Sequence, residues 1–264
     1  MSEKLQKVLA RAGFGSRRQL EEIIKAGEVK VNGLLALLGQ RVESKDTISF
    51  QGRTVTNTPA EEIPCRVMLY HKPEGEVCSR SDPEKRPTVF DNLPKLQRGR
   101  WIAVGRLDFN TAGLLLFTTH GDLANALMHP SSEIEREYAV RVFGQEVDAA
   151  TLTRLTKGIK LEDGMAKFNN IVDAGGQGQN HWYHVTLSEG RNREVRRMWE
   201  SQGVRVNRLI RVRFGQIILP RDLRKGSMRE LPASLVSELA ESVDIKLKTY
   251  TPFKKRAAKE RYRS

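Results

Sequence analysis

Apolar residues in the first sixty positions recur at helical spacing and then alternate with polar ones. Two helices are predicted by the apolar stripes Leu5, Val8, Leu9, Ala12 and Leu20, Ile23, Ile24. Gly13 and Gly27 end these helices, and Ser16 to Gln19 has the form of a capping box. The alternating run 29–31 leads into the turn Asn32-Gly33, which predicts a hairpin. With further short strands at 40–42 and 47–50, residues 1–60 form a small α+β unit.

The rest of the chain is predicted to be a larger domain joined by a polar linker at 52–64, which has no periodic pattern. Strands are predicted at 66–70, 114–118, 137–142, 171–172, 183–187, 206–213 and 217–219. Helices are predicted at 122–128, 151–156, 194–201 and 233–241. Since strands outnumber helices and neighbouring strands form hairpin patterns, residues 64–245 are predicted to be an α+β domain on a mixed, mainly antiparallel sheet. The basic segment 250–264 is predicted to be a disordered tail.

The charge of the chain indicates more about its function than the overall composition does. The net charge is +13 and the isoelectric point is near 9.9. Residues 190–229 hold eleven Arg and one Lys against three acids, which favours a surface for RNA or DNA. No apolar run is long enough to cross a membrane, and the polar N-terminus has no signal core, so a cytoplasmic location is expected. The two cysteines, Cys65 and Cys78, are expected to be buried, reduced thiols.

Several common chemistries lack their residues in this sequence. There is no glycine-rich dinucleotide loop and no P-loop, and the glycines at 175, 176 and 178 fit a hairpin loop. His181 and His184 lie at positions of a predicted strand that face opposite sides, so they cannot share a metal ion. Since acids do not cluster either, we expect neither a metal nor an organic cofactor.

The run from Trp101 to Pro130 contains the candidate chemistry. Asp108 lies between two apolar segments, on a turn marked by Asn110, Thr111 and Gly113, where an isolated acid is commonly a turn former. The longer string Gly-Arg-Leu-Asp-x-x-Thr-x-Gly-Leu-Leu-Leu at 105–116 resembles the active-site signature of the RsuA/RluA superfamily of pseudouridine synthases. Three further stretches resemble family motifs and come in the family's order: Lys-Pro-Glu-Gly at 72–75, Glu-Arg-Glu-Tyr-Ala-Val at 135–140, and the arginine-rich run at 189–198.

This resemblance implies a function and a site. The N-terminal unit resembles the RNA-binding domain named after ribosomal protein S-four, and the larger domain would convert uridine to pseudouridine in ribosomal RNA without a cofactor. Asp108 would be the nucleophile, Tyr138 would pack against the uracil, and Arg196 would pair with Asp108. Within the family, the resemblance favours the branch that acts on 23S RNA of the large subunit, although small-subunit enzymes share the motifs. Attack at C1′ and a glycal route both remain open, and for Tyr138 a purely structural role is the alternative.

RNA contacts are expected from both parts of the chain. Arg106 would fill the stack that a flipped uridine vacates, or contact a phosphate. The other predicted RNA-binding residues are Arg11, Arg17, Arg18, Lys25, Arg191, Arg193 and Arg197. The partner would be ribosomal RNA or a large-subunit assembly intermediate, the protein would be a monomer, and no membrane would be involved. The rival hypothesis is an RNA-binding assembly factor that uses the same fold as a platform.

Overall fold

A computed structural model describes residues 2–143, 147–177 and 180–247. The helices of these residues are α1 (Leu5–Arg11), α2 (Arg17–Lys25), α3 (Gly121–Met128), α4 (Ala149–Lys157), α5 (Glu194–Glu200) and α6 (Ala233–Glu241). The strands of the first part are β1 (Glu3–Lys4), β2 (Val29–Val31), β3 (Leu34–Leu35), β4 (Arg41–Val42), β5 (Ile48–Phe50) and β6 (Arg53–Val55). The strands of the larger part are β7 (Val67–Lys72), β8 (Ile102–Val104), β9 (Ala112–Thr118), β10 (Arg136–Phe143), β11 (Ile159–Leu161), β12 (Gly164–Ala166), β13 (Asn170–Gln177), β14 (Asn180–Leu187), β15 (Arg205–Phe214), β16 (Ile217–Ile218) and β17 (Met228–Glu230). The predicted tail, 250–264, lies outside the described residues.

The N-terminal unit has the helices and the hairpin that the apolar pattern predicts. Helices α1 and α2 pack through buried leucine and isoleucine side chains onto the sheet β3-β2-β5-β6. The capping box is present, because the Ser16 hydroxyl accepts the Gln19 amide and the Gln19 side chain accepts the Ser16 amide. Asn32 and Gly33 both have positive φ, as the turn between β2 and β3 requires.

The segment predicted as a linker is partly ordered structure, so that prediction is wrong in part. Gln51 and Gly52 take φ values of 47° and 77°, which fold the chain back so that β6 pairs antiparallel with β5. Only Val55 of β6 is buried, so this edge strand has the polar sequence of a loop. Residues Ala60–Glu62 form one turn of 3-10 helix.

The larger part is built on a mixed sheet with strand order β13-β14-β10-β15-β9-β7-β17, while β16 pairs with β15 and β8 with β9. Its pairs are antiparallel except for β15 with β9, which run parallel. The predicted α+β class with a mainly antiparallel sheet is therefore confirmed. The β13–β14 hairpin is also confirmed, but Gly175 and Gly176 lie within β13 and Gly178 lies outside the described residues.

One core packs on each face of this sheet, and the second core covers only part of its face. Helices α4 and α5 pack on the first face, where Leu155, Met198 and Trp199 meet the inward side chains of β10 and β14. Helices α3 and α6 pack on the opposite face, against β7 and β9. Strand β9 is buried at every position because it lies between the two cores, which explains its unbroken apolar sequence.

Polar contacts join the N-terminal unit to the larger part. Lys7 of α1 forms an ion pair with Asp122 of α3 at 2.8 Å, and the Arg100 guanidinium donates to the Gly15 carbonyl at 2.7 Å. Within the described ranges, no helix is long and apolar enough to span a membrane.

Candidate active site

Asp108 lies on the loop between β8 and β9, at the wall of a cavity of about 610 Å³. The loop is closed by a hydrogen bond from the Thr111 amide to the Asp108 carbonyl at 3.0 Å. Asp108 is half-buried, and its carboxylate accepts no hydrogen bond from any described residue. The volume lies within the range of small-molecule pockets, so the cavity has room for one nucleoside.

Tyr138 reaches the same cavity from β10. Its side chain is 9% exposed, and it lies opposite Arg211 of β15 and Val185 of β14 in the sheet. The structure thus places Asp108 and Tyr138, which belong to motifs far apart in sequence, at one cavity.

Arg196 lies behind the Asp108 loop. It belongs to α5 and is 6% exposed, and its guanidinium donates to the carbonyls of Asn110 at 2.8 Å and Val206 at 2.9 Å. No ion pair joins Arg196 to Asp108 in the described part of the chain, so the direct pairing expected from the motif is replaced by a contact with the loop backbone. Burial lowers the pKa of Arg196 and nearby Arg193 adds to this, while Asp108 acts in the opposite direction.

Lys72 binds the backbone of the same loop, a role not predicted from the sequence. It is fully buried, and its ammonium donates to the carbonyls of Pro73 at 2.9 Å, Asp108 at 3.2 Å and Thr111 at 2.9 Å. Burial lowers the pKa of Lys72, while nearby acidic groups counteract this. The sequence signal for this residue is the Lys-Pro-Glu-Gly stretch at 72–75, which begins at the end of the first strand of this domain.

Arg211 is a third buried cation of the site and was missed from the sequence. It is 2% exposed, lines the cavity, and donates through Nε to the Leu114 carbonyl at 2.7 Å. Its Nη2 has no hydrogen-bond partner among the described residues, which is costly for a buried guanidinium. The available signal was the alternation of β15, which places Arg211 on the same side as the buried Leu209.

Gly113 permits the close pairing of β9 with β15. Its φ is 110°, and a Cβ atom at this position would lie 2.2 Å from the Arg211 carbonyl oxygen. The glycine of the signature is therefore required by the backbone that approaches it.

The cysteines are free, as predicted. Cys65 is buried, but Cys78 is only half-buried because it lies in the cavity wall, where its sulfur accepts the Leu107 amide at 3.4 Å. Burial raises the pKa of the Cys78 thiol, while the amide of Leu107 and nearby cations counteract this. His181 and His184 lie on opposite faces of β14, as predicted, and pair with Asp173 and Glu137 respectively.

The predicted RNA-binding residues divide into two groups. Arg106 and Arg193 line the cavity, where Arg193 has only a long contact to Glu200 at 3.7 Å, and Arg17 and Arg18 are exposed on α2. The others contact groups of the protein itself: Arg11 pairs with Glu3, Lys25 with Glu22, Arg191 with Asp163, Glu189 and Glu194, and Arg197 with Asp163. RNA binding by this second group would have to compete with these ion pairs.

A carboxylate without hydrogen-bond partners lines one cavity with the buried Arg211, and the chain has a net charge of +13. These features fit an enzyme that acts on a polyanion. Comparison with known proteins defines the class further. Residues 66–201, more than half of the chain, match the family described as RNA pseudouridylate synthase, and residues 3–48 match the S4 domain. The chain belongs to the RNA pseudouridylate synthase family.

Relatives in several bacteria are highly similar. The ribosomal large subunit pseudouridine synthase B of Escherichia coli (strain K12) is 61% identical over 247 residues, which cover 93% of this chain and 84% of that protein. The protein of the same name from Haemophilus influenzae is 56% identical over 264 residues, covering 99% of this chain and 74% of the relative. A crystal structure of a pseudouridylate synthase matches with a TM-score of 0.62 at 27% identity, covering 89% of this chain and 99% of that one.

Proposed function

We propose that this protein converts a uridine of large-subunit (23S) ribosomal RNA to pseudouridine, with Asp108 as its nucleophile. The observation that carries the proposal is the Asp108 carboxylate, which has no hydrogen-bond partner among the described residues and lines a nucleoside-sized cavity together with Tyr138 and Arg211. The RNA substrate is supported by the names of the relatives in Escherichia coli and Haemophilus influenzae.

The reaction breaks the N1–C1′ bond of the uridine, turns the uracil and joins its C5 to C1′. A proton leaves C5 and N1 takes one up, so no mass is gained or lost. Asp108 acts either by attack on C1′ or by removal of the 2′ proton, and both routes need an ionised carboxylate. The buried guanidinium groups of Arg196 and Arg211 supply fixed positive charge around the Asp108 loop.

Tyr138 and Arg106 take the remaining roles in this proposal. A uridine inside an RNA helix is out of reach, so it must be flipped into the cavity. Tyr138, at the cavity wall, would pack against the uracil. Arg106 is exposed at the same cavity and has no ion-pair partner among the described residues, so its guanidinium is free to fill the vacated stack.

The RNA outside the cavity would contact exposed arginines of both parts of the chain. Arg17, Arg18 and Arg193 are the predicted contacts that the structure leaves accessible. Arg11, Lys25, Arg191 and Arg197 keep the ion pairs already described and would support the fold beneath the RNA. The proposal includes a monomer acting in the cytoplasm, on ribosomal RNA or on an assembly intermediate.

Tritium release tests the proposal directly, because the proton at C5 leaves during the reaction. Wild type, Asp108→Asn and the control Asp222→Asn would be compared on ribosomal RNA labelled at uridine C5. Asp222 is an exposed acid that pairs with Arg229 away from the cavity, so its substitution removes the same charge without touching the site. We expect Asp222→Asn to match wild type and Asp108→Asn to lose roughly 10⁴-fold or more in rate.

Equal release by wild type and Asp108→Asn would exclude Asp108 as nucleophile. If neither released tritium from any ribosomal RNA that the protein binds, the assembly-factor hypothesis would replace the enzyme. Mapping the pseudouridine that disappears from ribosomes of a deletion strain would identify the target uridine.

A further inference from the structure

The part of the sheet formed by β10, β13, β14 and the start of β15 has one face that no described core covers. Tyr138, Val140, Tyr183 and Leu209 point to the first core and the cavity. The alternate side chains point to the opposite side, where the core built by α3 and α6 contains no residue of β10, β13 or β14. This uncovered surface is called the arginine–tryptophan face, and its residues are Arg141, Phe143, Val172, Trp182, Arg205 and Arg208.

Strand register aligns these side chains in rows. Arg141 of β10 lies directly between Arg208 of β15 and Trp182 of β14, and Phe143 in the next row lies opposite Arg205. The Arg141 guanidinium carbon is 5.9 Å from the centre of the Trp182 ring. Val172 is 51% exposed and Phe143 40% exposed, so apolar and cationic groups alternate on one open surface.

The charges on this face are unbalanced. Two arginines directly opposite each other in a sheet repel, and no described acid forms an ion pair with Arg141, Arg205 or Arg208. The Arg141 Nε is buried and also lacks a hydrogen-bond partner among the described residues. Glu137, the acid of β10 on the same side, is already bound to Arg213 at 2.9 Å and to His184 at 2.7 Å. The face is therefore complementary to an anion.

We propose that the arginine–tryptophan face binds an unpaired stretch of RNA. Phosphates would neutralise the facing arginines, and bases would stack on Trp182 and Phe143, as aromatic side chains on open sheets do in other RNA-binding modules. Because this face and the cavity lie on opposite sides of the sheet, the RNA bound here is a different segment from the one that supplies the uridine. The proposal does not depend on Asp108.

Tryptophan fluorescence reports binding at this face selectively. The chain has three tryptophans, and Trp101 and Trp199 are 5% and 0% exposed, so a base that stacks on a tryptophan must reach Trp182. The probe is an oligocytidylate of about twelve nucleotides, which contains no uridine for the cavity. We expect saturable quenching in the wild-type protein. With Trp182→Phe, the quenching disappears while binding followed by the anisotropy of a labelled probe persists.

Charge reversal tests the arginines against a matched control. Arg141→Glu/Arg208→Glu should weaken oligocytidylate binding by roughly tenfold or more. It should also lower the slope of log affinity against log salt by about 2, the equivalent of two phosphate contacts. Arg221→Glu/Arg224→Glu makes the same change of charge at exposed arginines outside the face, and should have a much smaller effect. Tritium release from a short uridine stem-loop should be unchanged in Arg141→Glu/Arg208→Glu, which separates this proposal from the proposed isomerase activity.

Two results would overturn the proposal. One is an equal loss of affinity in the two double variants, which would show that the loss follows from overall charge and not from the arginine–tryptophan face. The other is displacement of the oligocytidylate by polyglutamate at equal charge concentration, which would assign the face to an acidic protein partner instead of RNA.

Discussion

At the scale of single residues, the site depends on cations that hold the backbone around Asp108. Lys72 and Arg196 approach the loop from two sides and donate to its carbonyls. Their contacts fix where the carboxylate lies, while the carboxylate itself stays free for substrate. Positioning of this kind has large kinetic consequences, because a displacement of about 1 Å at a reacting group can lower a rate by about 100-fold.

Arg196 provides the test of this positioning role. Arg196→Met removes the donors to Asn110 and Val206, so the loop loses an anchor and the site loses a buried positive charge. We expect the turnover rate to fall by roughly 100-fold while KM for RNA changes little, since Arg196 is not accessible to RNA. Arg196→Lys keeps the charge and one donor and should recover part of the rate. Tritium release over a range of RNA concentrations measures both constants, and an effect confined to KM would contradict the positioning role.

The residues of the site whose signal is local are predictable from the sequence. Asp108 and Tyr138 stand in short motifs, and both reach the cavity. Arg211 could not be found in this way, because its contribution depends on the register of β15 against β10 and on the carbonyl of Leu114. The predicted contact between Arg196 and Asp108 is absent among the described residues because it also depends on packing. Helix α5 directs the Arg196 guanidinium to the Asn110 carbonyl instead.

At the scale of elements, the parallel contact of β9 with β15 joins the Asp108 loop to the strand of Arg211. The pairs are Ile210 with Ala112 and Arg211 with Gly113, directly after the loop. The backbone tolerates little change at this contact, because Gly113 has no room for a side chain.

Gly113→Ala should destabilise the protein through this contact. A Cβ atom 2.2 Å from the Arg211 carbonyl forces the two strands apart, in addition to the strain of a φ of 110°. We expect a loss of about 2 kcal/mol or more in the free energy of unfolding, measured in urea. Gly203→Ala is the control: Gly203 has a φ of 72°, but a methyl group there would meet nothing within 4 Å, so this variant reports the backbone strain alone. Similar losses for the two variants would show that the strand contact adds nothing.

Elements with strong periodicity are predictable from the sequence, and those defined by pairing are not. The pattern locates α2 and the hairpin at Asn32-Gly33 because capping and turn chemistry are local. The edge strand β6 has the pattern of a linker, since its exposed residues carry no apolar alternation. The parallel β9–β15 pair joins strands about a hundred residues apart in sequence, and nothing in either segment specifies that partner.

At the scale of the whole molecule, net charge overstates the number of arginines available to RNA. Residues 190–229 contain eleven arginines, but Arg196 and Arg211 are buried and Arg191, Arg197 and Arg213 are held in ion pairs. The accessible charge is therefore smaller and more localised than composition indicates.

Substitutions of Arg193 and Arg197 compare an arginine that is accessible to RNA with one that is already held in an ion pair. Arg193 lines the cavity and has only a long contact to Glu200 at 3.7 Å, whereas Arg197 is bound to Asp163 at 2.8 Å. Arg193→Ala should lower the slope of log affinity against log salt by about 1, and Arg197→Ala should leave the slope unchanged while reducing stability by about 0.5 kcal/mol. Binding to a ribosomal RNA stem-loop at several salt concentrations measures the slopes. An equal reduction for both arginines would mean that RNA displaces Asp163.

The junction between the N-terminal unit and the larger part depends on polar contacts of the same modest strength. The side chains of the Lys7–Asp122 pair are 29% and 49% exposed, so water and salt screen their attraction. A double-mutant cycle with Lys7→Met and Asp122→Asn should therefore give a coupling energy of about 0.5 kcal/mol in unfolding at low salt, falling toward zero at high salt. A much larger, salt-insensitive coupling would indicate a rigid junction. If the coupling is weak, we expect RNA that touches both parts to contribute more than the protein does to fixing how the N-terminal unit presents a substrate to Asp108.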